Sequence, residues 1–534
     1  MSFFAKGRKA AAVFAVLLAM ALVITGCGGA QTVSKDTKSG QNGQPQIAFY
    51  AFNSEPVLDW DPSVEFSNGI VVMNNVYETL LKYDPLENKL EPVLATEYTK
   101  SEDGLTWTFK IRQGVKFHDG TELNAEAVKF SIDRTKALGK GAAYIWDSVK
   151  EIKVIDEYTV EFDLQYTAPL DLIASSGYAA FIVSPAAVKA NADDWLSSGN
   201  EAGTGPYKLQ SAKMGEEVVL TSFDQYWKGW EGKHFDKVVI KKVPETASRR
   251  QMVEKGEADV TIELPYEDVE ALKSNANVQI VEAPSFQNLF FFINTEKAPL
   301  DNKAMRQALS YAFPYEDVIK YAMGDYATQS KGSIPAGLWG HSDDLAQYKF
   351  DPGKAKELLD EAGYKGGLKL LLTYMSGDEA EKKASELYKA ELNKLGIELE
   401  IRAMPWESQW EMSKNPDPAQ RQDLMAMYWW PDYASPYSWL FNLFHTEKEV
   451  MYNLGYWKNE AFDKLIDEAN EKSGTDRGQA EKLFADAQQI MVDEAPSIFA
   501  YDKEFVWTMN KSFKGFKNNP IYPNVVFFYD TYRE

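Results

Sequence analysis

Cysteine is all but absent from this chain. One occurs in 534 residues, Cys27, which excludes an intramolecular disulfide, a cysteine-ligated zinc site and a cysteine nucleophile in the body of the protein. Histidine is nearly as scarce. His118, His234, His341 and His445 stand far apart with no HExxH pair, so sequence spacing prepares no zinc site. Positive charge is in deficit: 57 Lys and Arg face 79 Asp and Glu, for a net charge of −22. Phosphate recognition needs basic patches, so a nucleic-acid partner is not expected. There is no GxSxG elbow. Gly139-Lys140, Gly232-Lys233 and Gly353-Lys354 lack the upstream glycine of a Walker A loop, and Gly203 and Gly205 lack the rest of a dinucleotide fingerprint. Acidic pairs such as Glu216-Glu217 read as solvated surface in so acidic a chain. Nothing calls for a catalytic group, a metal or a cofactor, and the expectation is a protein that is not an enzyme.

The N-terminus has its own pattern. Lys6, Arg8 and Lys9 precede an uncharged apolar run, residues 10–23, which is short for a membrane span and right for the core of a signal peptide. It ends in Ile24-Thr25-Gly26-Cys27. Small residues before a cysteine resemble the lipobox of bacterial lipoproteins. The resemblance implies that residues 1–26 are a signal peptide and that Cys27 is lipidated, holding the protein on the outer face of the bacterial cytoplasmic membrane. Residues 27–46 are polar and Gly-rich, which predicts a flexible tether. Acyl anchoring strengthens by about 0.8 kcal/mol per buried CH2, so two or three chains suffice.

From Ile47 onward the patterns are those of a folded α/β protein. With 534 residues, two or three domains are the prior. Ile47-Ala48-Phe49-Tyr50-Ala51-Phe52 predicts a strand, and residues 70–81 have helical spacing ending at Asp84-Pro85. Trp107, Phe109 and Ile111 alternate with polar residues as a half-buried strand does. Asn124 caps a helix carrying Val128 and Ile132, and Asp351-Pro352 opens another that Gly363 closes. Strands over 368–374 and 397–403 flank a helix over 379–395, and 424–430 supplies a third strand. Strands alternating with helices argue for an α/β sheet covered on both faces, with ligands outside the carboxyl ends of its strands. Helices over 459–470 and 479–493 and a strand-rich tail, 497–507 and 523–529, complete the reading.

Several stretches resemble one family. Leu94-Ala95-Thr96-Glu97, followed by residues 101–121 (SEDGLTWTFKIRQGVKFHDGT), resembles the signature of the extracellular solute-binding proteins of ABC importers, the oligopeptide- and dipeptide-binding family. Gly203-Thr204-Gly205-Pro206-Tyr207 resembles its GTGPY turn, and Asn294 to Leu309 and Asp351 to Tyr364 resemble later family segments. The resemblance implies a periplasmic-binding-protein-like fold of the enlarged type II form. Its three lobes would be residues 47–84, 203–288 and 497–534 (lobe I), 85–202 (lobe II) and 289–496 (lobe III), with a ligand cleft between the two main ones. It implies an oligopeptide as ligand, the permease subunits of an ABC importer as partners, and a monomer. A receptor of the same fold for an oligosaccharide or a nickel chelate is the alternative, with an extracellular hydrolase behind it.

The candidate site centres on Tyr428-Trp429-Trp430-Pro431-Asp432-Tyr433. Pro431 fits neither a helix interior nor a central ladder, so a strand ends here and Asp432 lies just past it. In the family's peptide binders an aspartate in a W-x-x-D-Y context holds the ligand amine, and Trp429 to Tyr433 matches that spacing. Alternation predicts Trp429 and Trp430 on opposite faces, one walling the cleft. The resemblance also brings in Asn53, Ser54 and Glu55, after the first strand, and Tyr144 and Trp146, where lobe II would face the cleft. Some relatives carry an arginine six residues before the aspartate for the ligand carboxylate. Here that position is Ala426, which leaves the ligand's other end without an assigned partner.

Overall fold

The first strand, Ile47–Phe52, lies inside a mixed sheet, parallel to both Lys237–Lys242 and Val260–Thr261. Antiparallel neighbours on either side bring this sheet to seven strands. The computed structural model describes residues 45–448 and 450–534. The expected signal peptide, the expected lipidation site Cys27 and the expected tether up to residue 44 lie outside the described residues. Order is in place by Gln46, whose amide donates to Asp236 Oδ2 at 2.6 Å.

A second sheet of four antiparallel strands contains Ala95–Lys100, Thr106–Ile111, Thr159–Leu164 and Val149–Asp156. Trp107, Phe109 and Ile111 are its buried positions, as alternation requires. Helix Ala125–Leu138 packs beside it, with Asn124 Oδ1 accepting from Ala127 N at 3.0 Å and Gly139 in the left-handed region at its end. The helical spacing of residues 70–81 yields a shorter helix than expected, Ile70–Val76, after which Tyr77 is extended. The 203–205 turn is the physical reason. Gly205 N donates to Val76 O at 2.9 Å. A Cβ on Gly203 would lie 2.0 Å from that same oxygen, so only glycine permits the approach. His118 joins the two motifs, with Nδ1 2.7 Å from Glu201 and Nε2 2.8 Å from Gly205 O. These family-like segments are therefore a structural lock.

A third sheet has six strands, with Leu424–Trp429 between Asn288–Ile293 and Lys369–Met375. Lys369–Met375 runs parallel to Glu398–Met404 across helix Glu379–Lys394, the expected β-α-β unit. Two segments cross between the seven- and six-stranded sheets. Val278–Ala283 leads into Asn288–Ile293, and Ser497–Lys503 leads into Phe505–Asn510. Lys503 N donates to Gln287 O at 2.8 Å, and Ser285 Oγ donates to Lys503 O, so the crossings are tied side by side. The expected start of the last lobe I segment, residue 497, falls in a strand of the six-stranded sheet; the change of sheet comes at Glu504. The tail also differs from expectation. Residues 523–529 form no strand, because the side-chain amide of Asn75 takes the strand partner's place: it donates to Val526 O at 2.9 Å and accepts from Phe528 N at 2.9 Å. Among the described residues no helix is long and apolar enough to cross a membrane.

Candidate functional site

Leu424–Trp429 is buried except at Tyr428, which is half-buried. Met425, Met427 and Trp429 join the large core that also serves the other two sheets, while Leu424 and Ala426 join the core on the opposite face. The strand ends at Trp429, since Pro431 has no N–H for a ladder. Beyond it the backbone of Asp432 is clamped from both directions. Its N–H donates to Ser438 Oγ at 2.9 Å, and its carbonyl accepts from Ser176 Oγ at 2.6 Å. Ser438 belongs to helix Tyr437–Phe444, which Pro436 precedes. Asp432 thus lies outside the carboxyl end of a sheet strand, where α/β proteins place ligands.

The Asp432 side chain is 9% exposed. Its Oδ2 accepts from Tyr144 Oη at 2.8 Å and from Asn442 Nδ2 at 3.0 Å, and the same amide donates to Tyr144 Oη at 2.8 Å. Tyr144 stands on the short helix Ala143–Trp146, between helix Ala125–Leu138 and strand Val149–Asp156 of the four-stranded sheet, with its ring stacked on Phe441 at 5.5 Å. Among the described residues no Lys, Arg or His nitrogen lies within ion-pair distance of Asp432. Burial pushes its pKa up to about 6, against the two hydrogen bonds that pull it down. A buried carboxylate without a counter-charge is costly. What this one can do chemically is accept a cation, and the two donors on Oδ2 already hold the carboxylate in place.

The other predicted residues divide. Trp430 Nε1 donates to Tyr178 Oη at 2.9 Å, and Tyr178 Oη donates to Ser67 O at 3.0 Å, tying the strand end to the segment after Phe52. Trp429 packs edge-on against Tyr452 at 4.9 Å. Both tryptophans pack on the same core instead of on opposite faces, because the strand stops between them. Tyr428 points the other way, its hydroxyl bonded to that of Tyr501. Tyr433 is buried beside Tyr144, Tyr437 and Phe441 around a cavity of about 20 Å3. Trp146 is 0% exposed, its Nε1 donating to Ala179 O at 2.8 Å and its ring stacked on Phe162, which makes it part of a core. Asn53 donates to Glu263, and Ser54 donates to Asn53 Oδ1 at 3.3 Å. Glu55 accepts from Gly215 N at 2.9 Å and pairs with Lys242 at 3.2 Å. None of these three touches the Asp432 cluster. Ala426 is buried opposite Phe291, in the core on the far face of the sheet.

Sequence reasoning missed Asn442, Ser438, Ser176, Tyr178 and Tyr452. Asn442 left one signal: it is a lone amide within Leu440-Phe441-Asn442-Leu443-Phe444, where every other side chain is apolar. Among the described residues no group of three or more His, Cys, Asp or Glu could hold a metal ion.

This arrangement has counterparts. The sequence model of the bacterial extracellular solute-binding proteins, family 5, matches residues 89–450. A probable D,D-dipeptide-binding periplasmic protein of Escherichia coli K12 is 31% identical over 476 residues, covering 87% of this chain and 90% of its own. The structure of the ABC transporter-associated periplasmic binding protein DppA of Helicobacter pylori, in complex with the peptide STSA, superposes with a TM-score of 0.81 at 26% identity. It covers 91% of this chain and 98% of its own. A dipeptide-binding protein of Pseudoalteromonas superposes with a TM-score of 0.82 at 23% identity, covering 92% and 100%. The mixed α/β architecture is the periplasmic-binding-protein-like one of these structures. With the family's sequence model spanning most of the folded residues and a relative above 30% identity along nearly the whole chain, this protein belongs to the bacterial extracellular solute-binding proteins of family 5, the oligopeptide- and dipeptide-binding class of ABC-transporter receptors.

Proposed function

We propose that this chain is a lipid-anchored receptor that captures oligopeptides and hands them to the permease subunits of an ABC importer, with Asp432 as the partner of the ligand's α-ammonium. One observation carries the reading. Asp432 is a buried carboxylate whose Oδ2 accepts from Tyr144 and Asn442 and which has no cation from its own chain among the described residues. An ammonium entering there meets a desolvated charge with its geometry set. The rest of a short extended peptide needs main-chain partners, since closure buries its N–H and C=O groups. The peptide named with the Helicobacter structure and the D,D-dipeptide named for the Escherichia relative support the same ligand class. In this reading residues 47–84, 203–288 and 505–534 form lobe I, 85–202 lobe II and 289–503 lobe III. Tyr144 then bonds Asp432 across two lobes, and the paired crossings near Gln287 and Glu504 are the hinge.

The test is titration calorimetry of Asp432→Ala against free-amine peptides. Removing one partner of a buried ion pair costs roughly 3–5 kcal/mol, so affinity falls at least a hundredfold while the fold persists. Near wild-type affinity would reject the assignment. Native mass spectrometry of the purified protein, followed by denaturation, identifies the cargo; a released oligosaccharide or metal chelate would replace the peptide reading. For the anchor at Cys27, Cys27→Ser moves the protein from the detergent phase to the aqueous phase in a partition assay, and unchanged partitioning would remove it. The folded body acts as a monomer in this reading, which sedimentation checks.

A further inference from the structure

Two hydrogen-bond donors beside Asp432 have no acceptor. Trp429 Nε1 and Tyr452 Oη are buried and, among the described residues, without a hydrogen-bond partner. Their rings meet edge to face, with centroids 4.9 Å apart. Trp429 stands three residues before Asp432, and Tyr452 lies close enough for the Asp432 charge to act on its hydroxyl. Tyr452 also touches Trp410 at 5.0 Å and Phe66 at 5.9 Å. It therefore bridges the six-stranded sheet and the segment that follows the first strand.

The neighbouring tryptophan differs. Trp430 Nε1 has an acceptor in Tyr178 Oη at 2.9 Å, and Trp146 and Trp439 likewise give their N–H groups to Ala179 O and Asn288 Oδ1. An indole N–H can only donate. Buried donors in native proteins are paired with few exceptions, and each exception needs a reason. Here two coincide in one ring contact, next to a carboxylate that itself has no cation. The carboxylate calls for a positive donor, and the indole and phenol call for an acceptor. An α-amino acyl group presents both on adjacent atoms, the ammonium on Cα and the carbonyl oxygen on the next carbon.

We propose that Trp429 Nε1 and Tyr452 Oη donate to the first carbonyl oxygen of the ligand, so that the site reads an α-amino acyl end and not merely an amine. This rests on the reading of Asp432 as the amine partner and extends it to the acceptor beside the amine. It makes Trp429 and Tyr452 determinants of specificity. A simple alkylamine, which has the charge and lacks the carbonyl, is then discriminated against although it satisfies Asp432.

The experiment uses the full chain and a panel of free-amine di-, tri- and tetrapeptides, measured by calorimetry. The tightest peptide is remade with its first amide replaced by an (E)-alkene, which keeps the shape and the amine and removes the carbonyl oxygen together with the amide N–H; the Tyr452 variant separates the two losses. Wild type should bind the alkene analogue at least tenfold more weakly. Tyr452→Phe should weaken the parent peptide five- to twentyfold and leave the analogue's affinity unchanged, the mark of a lost contact to that oxygen. Trp429→Phe, a larger change, should show the same selectivity, and circular dichroism confirms that both variants fold. Equal losses for peptide and analogue in Tyr452→Phe, or no loss for either, overturn the proposal while leaving Asp432 its role. Absence of binding by every peptide of the panel in wild type overturns the peptide reading, and this proposal with it.

Discussion

Asp61 and Asp432 are both buried aspartates, 3% and 9% exposed, yet the chain equips them differently. Asp61 receives the Arg134 guanidinium on both oxygens, with Nη1 2.8 Å from Oδ1, and its Oδ1 also accepts from Ser63 N at 3.0 Å. Arg134 reaches Ser63 Oγ at 3.0 Å as well, fastening helix Ala125–Leu138 to the segment before Ile70. Asp432 has a hydroxyl and an amide and, among the described residues, no cation. The first carboxylate is complete within the protein and holds two of its parts together. The second is complete except for charge. Burial does not distinguish the two carboxylates; the counter-charge does.

The largest expected effect breaks the complete pair. Arg134→Met leaves Asp61 buried and alone, which costs roughly 3–5 kcal/mol. Urea denaturation should show that loss with an unchanged slope, and the folded fraction should still bind peptide.

The same reasoning reverses sign at Asp432. Its pKa in the folded protein is about 6 against an ordinary 3.8, so the folded state favours the protonated form. The resulting penalty is fully present above pH 6, shrinks as pH falls from 6 toward 3.8, and is gone below it. About two pH units correspond to about 3 kcal/mol. Asp432→Asn should therefore stabilise the ligand-free protein by up to that amount at pH 7.5 and by little at pH 4. A melting temperature that drops at pH 7.5 would show that the charge is satisfied in a way the hydrogen bonds do not reveal.

How much of this was legible in the sequence depends on how local the cause is. Asn124, Asp351 and Gly363 set helix ends within one turn of chain, and all act as their positions predict. The strand Leu424–Trp429 and its end before Pro431 are local as well, and so was the placement of Asp432 past it. The exceptions have distant causes. The helix from Ile70 stops at Val76 because a turn more than a hundred residues later binds its last carbonyl. Residues 523–529 are no strand because the Asn75 amide stands in for one. Trp146 and Tyr144 are two residues apart on one short helix, yet one fills a core and the other reaches Asp432. Asn442 was readable only as an oddity, since one of its partners, Tyr144, lies 298 residues away in the chain.

The next effect sharpens the comparison in solution. An ammonium pairs with the ionised form of Asp432, so binding must release a proton wherever the free site is protonated. With a free-site pKa of about 6, acidification from pH 7 to pH 5 should weaken peptide affinity about tenfold, roughly 1.4 kcal/mol. Calorimetry in buffers of different ionisation heat should report proton release at pH 5 and little at pH 8. A flat profile over this range would place the ligand's charge elsewhere.

The smallest effect tests whether the donors around Asp432 act as one unit. Tyr144→Phe removes the hydroxyl that donates to Oδ2 and accepts from Asn442, while its ring keeps the stack on Phe441. One hydrogen bond to a charged group contributes roughly 1.5 kcal/mol, and neutral ones about 1 kcal/mol, so peptide affinity should fall five- to tenfold. The free carboxyl also loses a bond that lowers its pKa, and the pH at which affinity declines should move upward. Asn442→Ala removes the second donor and, with it, the contact to Tyr144 Oη. Because the three groups share their bonds, the two substitutions should not add: a double-mutant cycle should return a coupling of about 0.5 kcal/mol or more. Strict additivity would mean that Tyr144 and Asn442 support Asp432 separately, and that the contact from Tyr144 can form or break without changing how the amide holds the carboxylate.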